Sequence, residues 1–486
     1  MKTKQDILQW LDDNQVRFTK ISDKIWENPE IALKEFKSSR LQADFLETEG
    51  FRITWDLGGL NTAFVAEWGT SSPIIGFLGE YDALLNLSQK NIPRKEPIIE
   101  GGLGQGCGHN LLGVGGMASA VVIKEWLEAS GTTGTVRYYG CPAEESGDGK
   151  VYMARAGIFD DLNAAFNFHP GAYNMASKAS SVGVRDVKFR FYGTSAHAGG
   201  SPHLGRSALD AVELMNVGVN YLREHVTEKV RIHYTITHGG DLPNVVPAYA
   251  EVWYFIRAQY NDEIEAVSQR VRNIAQGAAL MTETRVEESF QGACSRVLGN
   301  HYLADLQYEA MKMIGPIEFT EDEIAFAQEI NDAYPEKNVK SFFQKMRELQ
   351  IPEDFREIID ALEGHPLISV NLPPMDEKEV RTGSTDVGDV SQVTPISELR
   401  TTCSTTGSAG HSWGIVATSG MSIGHKGMMH AAKIMALAAV DCYTDPIHLE
   451  KARAEFEKAT KERPYNCPIP EHVQTRIYPN PERPEV

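Results

Sequence analysis

Between Gln5 and Gly50 apolar residues fall three and four apart, the period of a helix with one buried face, and "ENPE" at 28–31 breaks the run. The period then changes. "FRITWDLGGLNTAFVAEWG" reads as two strands around a glycine turn. "PIIGFLGEYDALL" opens as a short apolar run, like a buried parallel strand, and ends in acids. "LLGVGGMASAVVIKEWLEASG" is a helix closed by its last glycine. "GTVRYYGCPAEESGDG" is a strand followed by an acidic loop, and "AAFNFHPG" is a short strand ending in a histidine. Strands alternating with helices imply a mixed or parallel sheet flanked by helices.

Near residue 182 the rhythm shifts to strict alternation. "VGVRDVKFRFYG" reads as a half-exposed strand and "GRSALDAVELMNVGVNYLREHV" as a long helix. The strands "VRIHYTITHGG" and "YAEVWYFIRA" follow, then the helix "NDEIEAVSQRVRNIAQGAAL" and the strand "ETRVEESF". The order β-α-β-β-α-β is that of a ferredoxin-like unit. The expected architecture is an α/β catalytic domain in two parts, 1–182 and 294–486, interrupted by a ferredoxin-like lid or dimerisation domain at 183–293. Residues 316–380 are charged and helical, with a capping box at Thr320 and Glu323, and read as an elaboration of the larger domain.

Composition narrows the function. The chain has 486 residues, 42% hydrophobic and 23% charged, with a formal net charge of -19. Such a surface repels phosphate backbones, so nucleic acid is excluded as a partner. No apolar run reaches the length of a membrane span, and "MKTKQDILQWLDDNQ" has no signal-peptide core. Six scattered cysteines form no disulfide framework, which points to a reducing, cytoplasmic setting.

"GQGCGHNLLG" places Cys107 and His109 two apart. Such a pair cannot close a tetrahedral site alone and is ordinarily incidental. Glu144 and Glu145 are adjacent, and glutamates in loops are ordinarily solvated. His169 alone would be read as a core histidine. Taken together, Cys107, His109, Glu145 and His169 all follow apolar runs around one expected sheet, and thiolate, imidazole and carboxylate suit zinc or a neighbouring divalent metal. One glutamate would bind metal while its neighbour moves a proton.

These motifs, in this order, resemble the M20 metallopeptidases and amidohydrolases, in the aminoacylase/hippurate-hydrolase branch. "GEYDALLN" is similar to R-A-D-M-D-A-L-P, "CGHNLLG" to C-G-H-D-x-H, and "CPAEE" to Q-P-A-E-E. "FNFHPG" matches the strand-end histidine motif. "GTSAHAGGSPHLGRSALDA" resembles the lid motif, and "LPNVVPAYAEVWYFIR" resembles N-V-I-P-x-x-A-x-x-x-x-x-x-R. The chain departs from the branch at Asn110, where an aspartate is usual, and in "STDVGDVSQVTP", "HSWGIVATSG" and "GHKGMMHAAK". The resemblance implies a metal-dependent hydrolase of N-acyl amino acids that uses zinc or manganese, one or two ions. It implies Cys107, His109, Glu145, His169 and His425 as ligands, with His411 and His430 competing for the last place, and Glu144 as general base and acid. It implies His197 as a lid residue that reaches the partner's site in a homodimer, or in a heterodimer with a related M20 subunit. Asn244 and Arg257 would touch substrate, and Asp82 would orient a ligand.

Overall fold

The structure is a computed structural model and describes residues 1–146, 148–475 and 478. In chain order the principal strands are β1 (Arg52–Trp55), β2 (Phe64–Trp68), β3 (Ile74–Gly79), β4 (Thr135–Gly140), β5 (Ala164–Gly171), β6 (Asn174–Ala176), β7 (Gly183–Tyr192), β8 (Arg231–His238), β9 (Tyr249–Ala258), β10 (Arg285–Cys294), β11 (Asn371–Leu372) and β12 (Ile396–Thr402). Eight of them form one mixed sheet in the order β11-β6-β12-β5-β3-β4-β2-β1. Its centre, β12-β5-β3-β4, is parallel, and β2 and β6 run against their inner neighbours.

The first helix, Lys4–Glu27, is opened by a capping box between Thr3 and Asp6, and buries Ile7, Leu11, Phe18, Ile21 and Ile25 at helical spacing. The helix His109–Ser130 is different: nearly every residue of its first four turns is buried. It can lie directly on β3 because Gly113 and Gly116 carry no side chain. A Cβ there would stand 2.5 Å from the Glu80 carbonyl oxygen and 2.6 Å from that of Leu78. The helix Ser422–Thr444, also buried along most of its length, packs against it. The Thr320–Glu323 capping box forms and opens the helix Glu321–Ala333.

Strands β7 to β10 make a separate antiparallel sheet in the order β8-β9-β7-β10, with helices Ala208–Leu222 and Asn261–Thr282 between them. This is the ferredoxin-like order, and the unit has its own core around Phe189, Phe191, Val252 and Tyr254. All six cysteines are free. Among the described residues no helix is long and apolar enough to cross a membrane.

A candidate metal centre at the strand ends

Open α/β sheets carry their chemistry beyond the carboxyl ends of the parallel strands. Here Glu80 and Asp82 follow β3, Glu144 and Glu145 follow β4, His169 lies near the end of β5, and His411 comes from the loop after β12. Cys107 and His109 enter from the side, at the start of the buried helix. Gly108 between them has a left-handed φ of 72°, a turn that suits glycine, and a Cβ there would also crowd Pro170 at 3.1 Å.

The donors fall into three overlapping groups whose members lie within 4.8 Å of one another: Cys107–His109–His169, Cys107–Glu145–His411 and Glu80–His109–Glu144. The surroundings fix which atoms face inward. His109 Nδ1 bonds Asp82 Oδ1 at 2.9 Å, which leaves Nε2 pointing into the cluster, 3.2 Å from Glu80 Oε2. His169 Nδ1–H donates to the Pro170 carbonyl at 2.8 Å, so Nε2 keeps its lone pair, 3.3 Å from Cys107 Sγ. Asp82 Oδ2 accepts the Glu145 backbone N–H at 2.9 Å and so holds the acidic loop as well as the imidazole. His109 Nε2, Glu145 Oε1 and Glu80 Oε2 are buried without a hydrogen-bond partner among the described residues. Native proteins rarely leave such groups unpaired, and a cation between them satisfies all three. The donor set therefore fits a divalent metal.

Electrostatics agree with the geometry. Burial disfavours charge on Asp82, yet His109 beside it holds the carboxyl below its usual range. His169 is pushed down to about 4, first by burial and then by Arg400, which favours the neutral imidazole. Burial pushes the Cys107 thiol up to about 12. Glu144 is raised well above the carboxylate range by burial and by Glu80, Asp386 and Glu145.

A layer behind the donors holds them. Lys150, wholly buried, bridges Glu80 Oε1 and Asp386 Oδ1, both at 2.6 Å. Glu35 accepts the Ala143 N–H at 2.8 Å and the Leu33 N–H at 2.9 Å, and pins Ala143 at a positive φ of 61° beside the glutamate pair. Neither Lys150, Asp386, Glu35 nor Glu80 was singled out from the sequence. The available signal was the i, i+2 spacing of Glu80 and Asp82, which puts both carboxylates on one face of an extended segment.

Of the residues singled out from the sequence, Cys107, His109, Glu144, Glu145, His169 and Asp82 come together. His425 does not join them: it sits in the first turn of Ser422–Thr444 and bonds Asp23 Oδ1 through Nε2 at 2.8 Å. His430 is also elsewhere, bonded to Asn371 Oδ1 at 2.9 Å. The histidine beside the cluster is His411, with Nε2 3.5 Å from Glu145 Oε2 and its side chain 55% exposed. His197 and Asn244 are exposed on the inserted unit, where the Ala198 N–H donates to the Asn244 carbonyl at 2.9 Å. Arg257 on β9 donates to Ser384 Oγ at 2.6 Å, across the seam between the two units.

Inward-facing nitrogen, oxygen and sulfur donors, with a spare carboxylate beside them, define a metal-dependent hydrolase. The chain belongs to the M20 family, whose members are metal-dependent hydrolases of amide bonds. Residues 180–282 match the peptidase dimerisation domain of that family. Over 477 residues the chain is 41% identical to the B-type subunit of p-aminobenzoyl-glutamate hydrolase from Escherichia coli (strain K12), covering 96% of this chain and 98% of that one. It is 32% identical to the Xaa-Arg dipeptidase of Mus musculus over 327 residues, 65% of this chain and 72% of that one. A dinuclear metal-binding peptidase of the M20 family from Bacillus subtilis shares the fold, with a TM-score of 0.56 at 17% identity, covering 89% of this chain and 99% of that one.

Proposed function

We propose that the chain hydrolyses the amide bond of an N-acyl amino acid, p-aminobenzoyl-glutamate above all, with zinc or manganese held by Cys107, His109, Glu145, His169 and His411. The observation that carries this reading is the convergence of unspent lone pairs on His109 and Glu145 next to a second glutamate. Because the donor groups share Cys107 and His109, one ion or two can be accommodated. A bound divalent ion supplies Lewis-acid polarisation of the carbonyl and a more acidic water. Glu144, beside the donors, is the group that would accept a proton from the attacking water and hand it to the leaving amine nitrogen. Asp82 fixes the His109 tautomer and the position of the Glu145 backbone. Arg257, at the seam, and Asn244, beside His197 on the inserted unit, contact the substrate.

His197 completes the site from a partner subunit, either a second copy of this chain or the other subunit of a two-subunit hydrolase. Its Nδ1 accepts the N–H groups of Gly199 and Gly200 at 3.1 and 2.9 Å, so the proton lies on Nε2, a donor suited to a developing oxyanion. The enzyme works in the cytoplasm. The test is a hydrolysis panel with zinc- and manganese-loaded protein: p-aminobenzoyl-glutamate, other N-acyl amino acids, and Xaa-Arg dipeptides. Highest kcat/KM on p-aminobenzoyl-glutamate is expected. A preference for the dipeptides, or no turnover by a fully metal-loaded chain either alone or with an A-type subunit added, overturns it.

A further inference from the structure

A cavity of about 940 Å³ opens between the inserted unit and the C-terminal segment, and none of the metal-centre residues lines it. Its volume is that of a small-molecule site. Four arginines face it: Arg185 and Arg272 from the inserted unit, Arg296 from the segment leaving that unit, and Arg463 from the C-terminal segment. Arg185 is only 7% exposed. Its Nη1 pairs with Glu265, but its Nε is buried and has no hydrogen-bond partner among the described residues. Arg296 makes no ion pair among the described residues. Its Nη1 reaches Ser180 Oγ only at 3.5 Å, and its guanidinium carbon lies 4.6 Å from the Tyr260 ring centroid. The Arg463 guanidinium lies over the same ring at 3.7 Å and pairs with Asp262 at 2.7 Å. Two guanidiniums thus pack on one tyrosine ring, and against the four arginines the cavity lining sets three carboxylates, Asp262, Glu265 and Glu462, in a chain whose net charge is -19. The 22-residue helix Asn261–Thr282 also begins here, and its N-cap Tyr260 supplies no side-chain acceptor. Asp262 and Glu263 occupy its first turn, and the Glu263 N–H is already taken by Asp262 Oδ1 at 3.0 Å.

We propose that this cavity binds a small oxyanion, a molecule bearing a phosphate or carboxylate group, and that the anion bridges the inserted unit and the body of the enzyme. Arg185 holds it from one side, Arg463 from the other, and Arg296 sits between them. Planar guanidiniums match either anion through paired N–H donors. Asp262 and Glu265 serve as internal counter-ions that the ligand supplements at Arg296 and at the free Nε of Arg185. An occupied site would tie residues of the inserted unit to the C-terminal segment.

The experiment is titration calorimetry on the full-length, metal-loaded enzyme with inorganic phosphate in one arm and succinate in another, potassium chloride holding ionic strength constant. Saturable binding of at least one anion is expected. Affinity should fall about tenfold or more in Arg463→Gln and in Arg185→Gln. Arg185→Lys, which keeps the charge and loses the fork, serves if Arg185→Gln fails to fold and should weaken binding in the same direction. Arg347→Gln, at a distant surface ion pair, should bind as the parent does. The proposal fails if neither anion gives a saturable heat, if binding disappears on metal removal while the arginine variants bind normally, or if only one side's arginine matters.

Discussion

At the scale of single residues the site turns on which atoms keep free lone pairs. His411 and His425 are a clean comparison: both are histidines beside a carboxylate, but only the His411 partner, Glu145, belongs to the cluster. His411→Ala should weaken metal binding at least tenfold in a chelator competition, and His425→Ala should leave it within about twofold. The reverse order would return the last ligand place to His425. Glu144 is the complementary case. It is near enough to Glu80 and His109 to share a metal-sized space, yet its proposed role is to move protons. Glu144→Gln should keep the metal content and cost about 10²–10⁴-fold in kcat. A variant that loses the metal instead makes Glu144 a ligand.

At the scale of elements, one helix and three strand ends do the positioning. The helix His109–Ser130 delivers His109 only because it touches β3 through Gly113 and Gly116. Gly116→Ala puts a methyl carbon 2.6 Å from the Leu78 carbonyl oxygen, which is backbone and cannot step aside. The strain, about 1–3 kcal/mol, exceeds the ~1 kcal/mol that alanine gains over glycine in a helix. Denaturant unfolding should show net destabilisation, and metal affinity should fall with it because the first turn carries His109. Strand β12 is held in another way. Burial alone would raise the pKa of Glu398, but Arg381 at 2.7 Å and Arg400 at 3.5 Å hold it down at about 2. A carboxyl depressed below its unfolded value of roughly 4.3 stabilises the fold above that value and loses the contribution as pH falls toward 2. The stability gap between the parent and Glu398→Gln should therefore be largest near neutrality and shrink between about pH 4 and pH 2; a gap flat across that range removes the ion-pair account. These elements also show what a sequence discloses. Glu145 and His169 were legible because each follows an apolar strand run, and Cys107 and His109 because they stand at the head of an apolar helical run. His411 was legible only as a competitor for the last place, because it sits in a loop, at a positive φ of 50°, with no period around it. The helix Ser422–Thr444 is apolar on nearly all sides, so no stripe announced it, and motif order alone could not tell that its first turn aims His425 at Asp23. Lys150 gave no signal at all, since a buried lysine is recognised only by the two carboxylates that tertiary folding brings to it.

At the scale of the whole molecule, the inserted unit separates His197 from the cluster, and a dimeric arrangement is the proposed means of reuniting them. The unit matches a peptidase dimerisation domain and presents apolar side chains to solvent, among them Tyr221 and Leu280. His197 itself is exposed; two glycine N–H groups fix its tautomer, and its backbone pairs with Val245 and accepts the Gly200 and Ser201 N–H groups. A structural histidine would more often be buried against its own unit; one kept rigid, exposed and donor-outward fits use by another chain. An oxyanion donor contributes about 3–4 kcal/mol, so His197→Ala should lower kcat about a hundredfold or more at unchanged metal content. That result alone would not reveal which chain's site His197 serves. Mixing does. When inactive Glu144→Gln chains exchange subunits with inactive His197→Ala chains, each mixed dimer contains one site with Glu144 from the second variant and His197 from the first. At equal input and free exchange half the dimers are mixed, so about a quarter of all sites regain both groups, and activity near a quarter of the parent level is expected. If His197 acted within its own chain, no mixed dimer would hold a complete site, and the mixture would stay inactive however thoroughly the subunits exchanged.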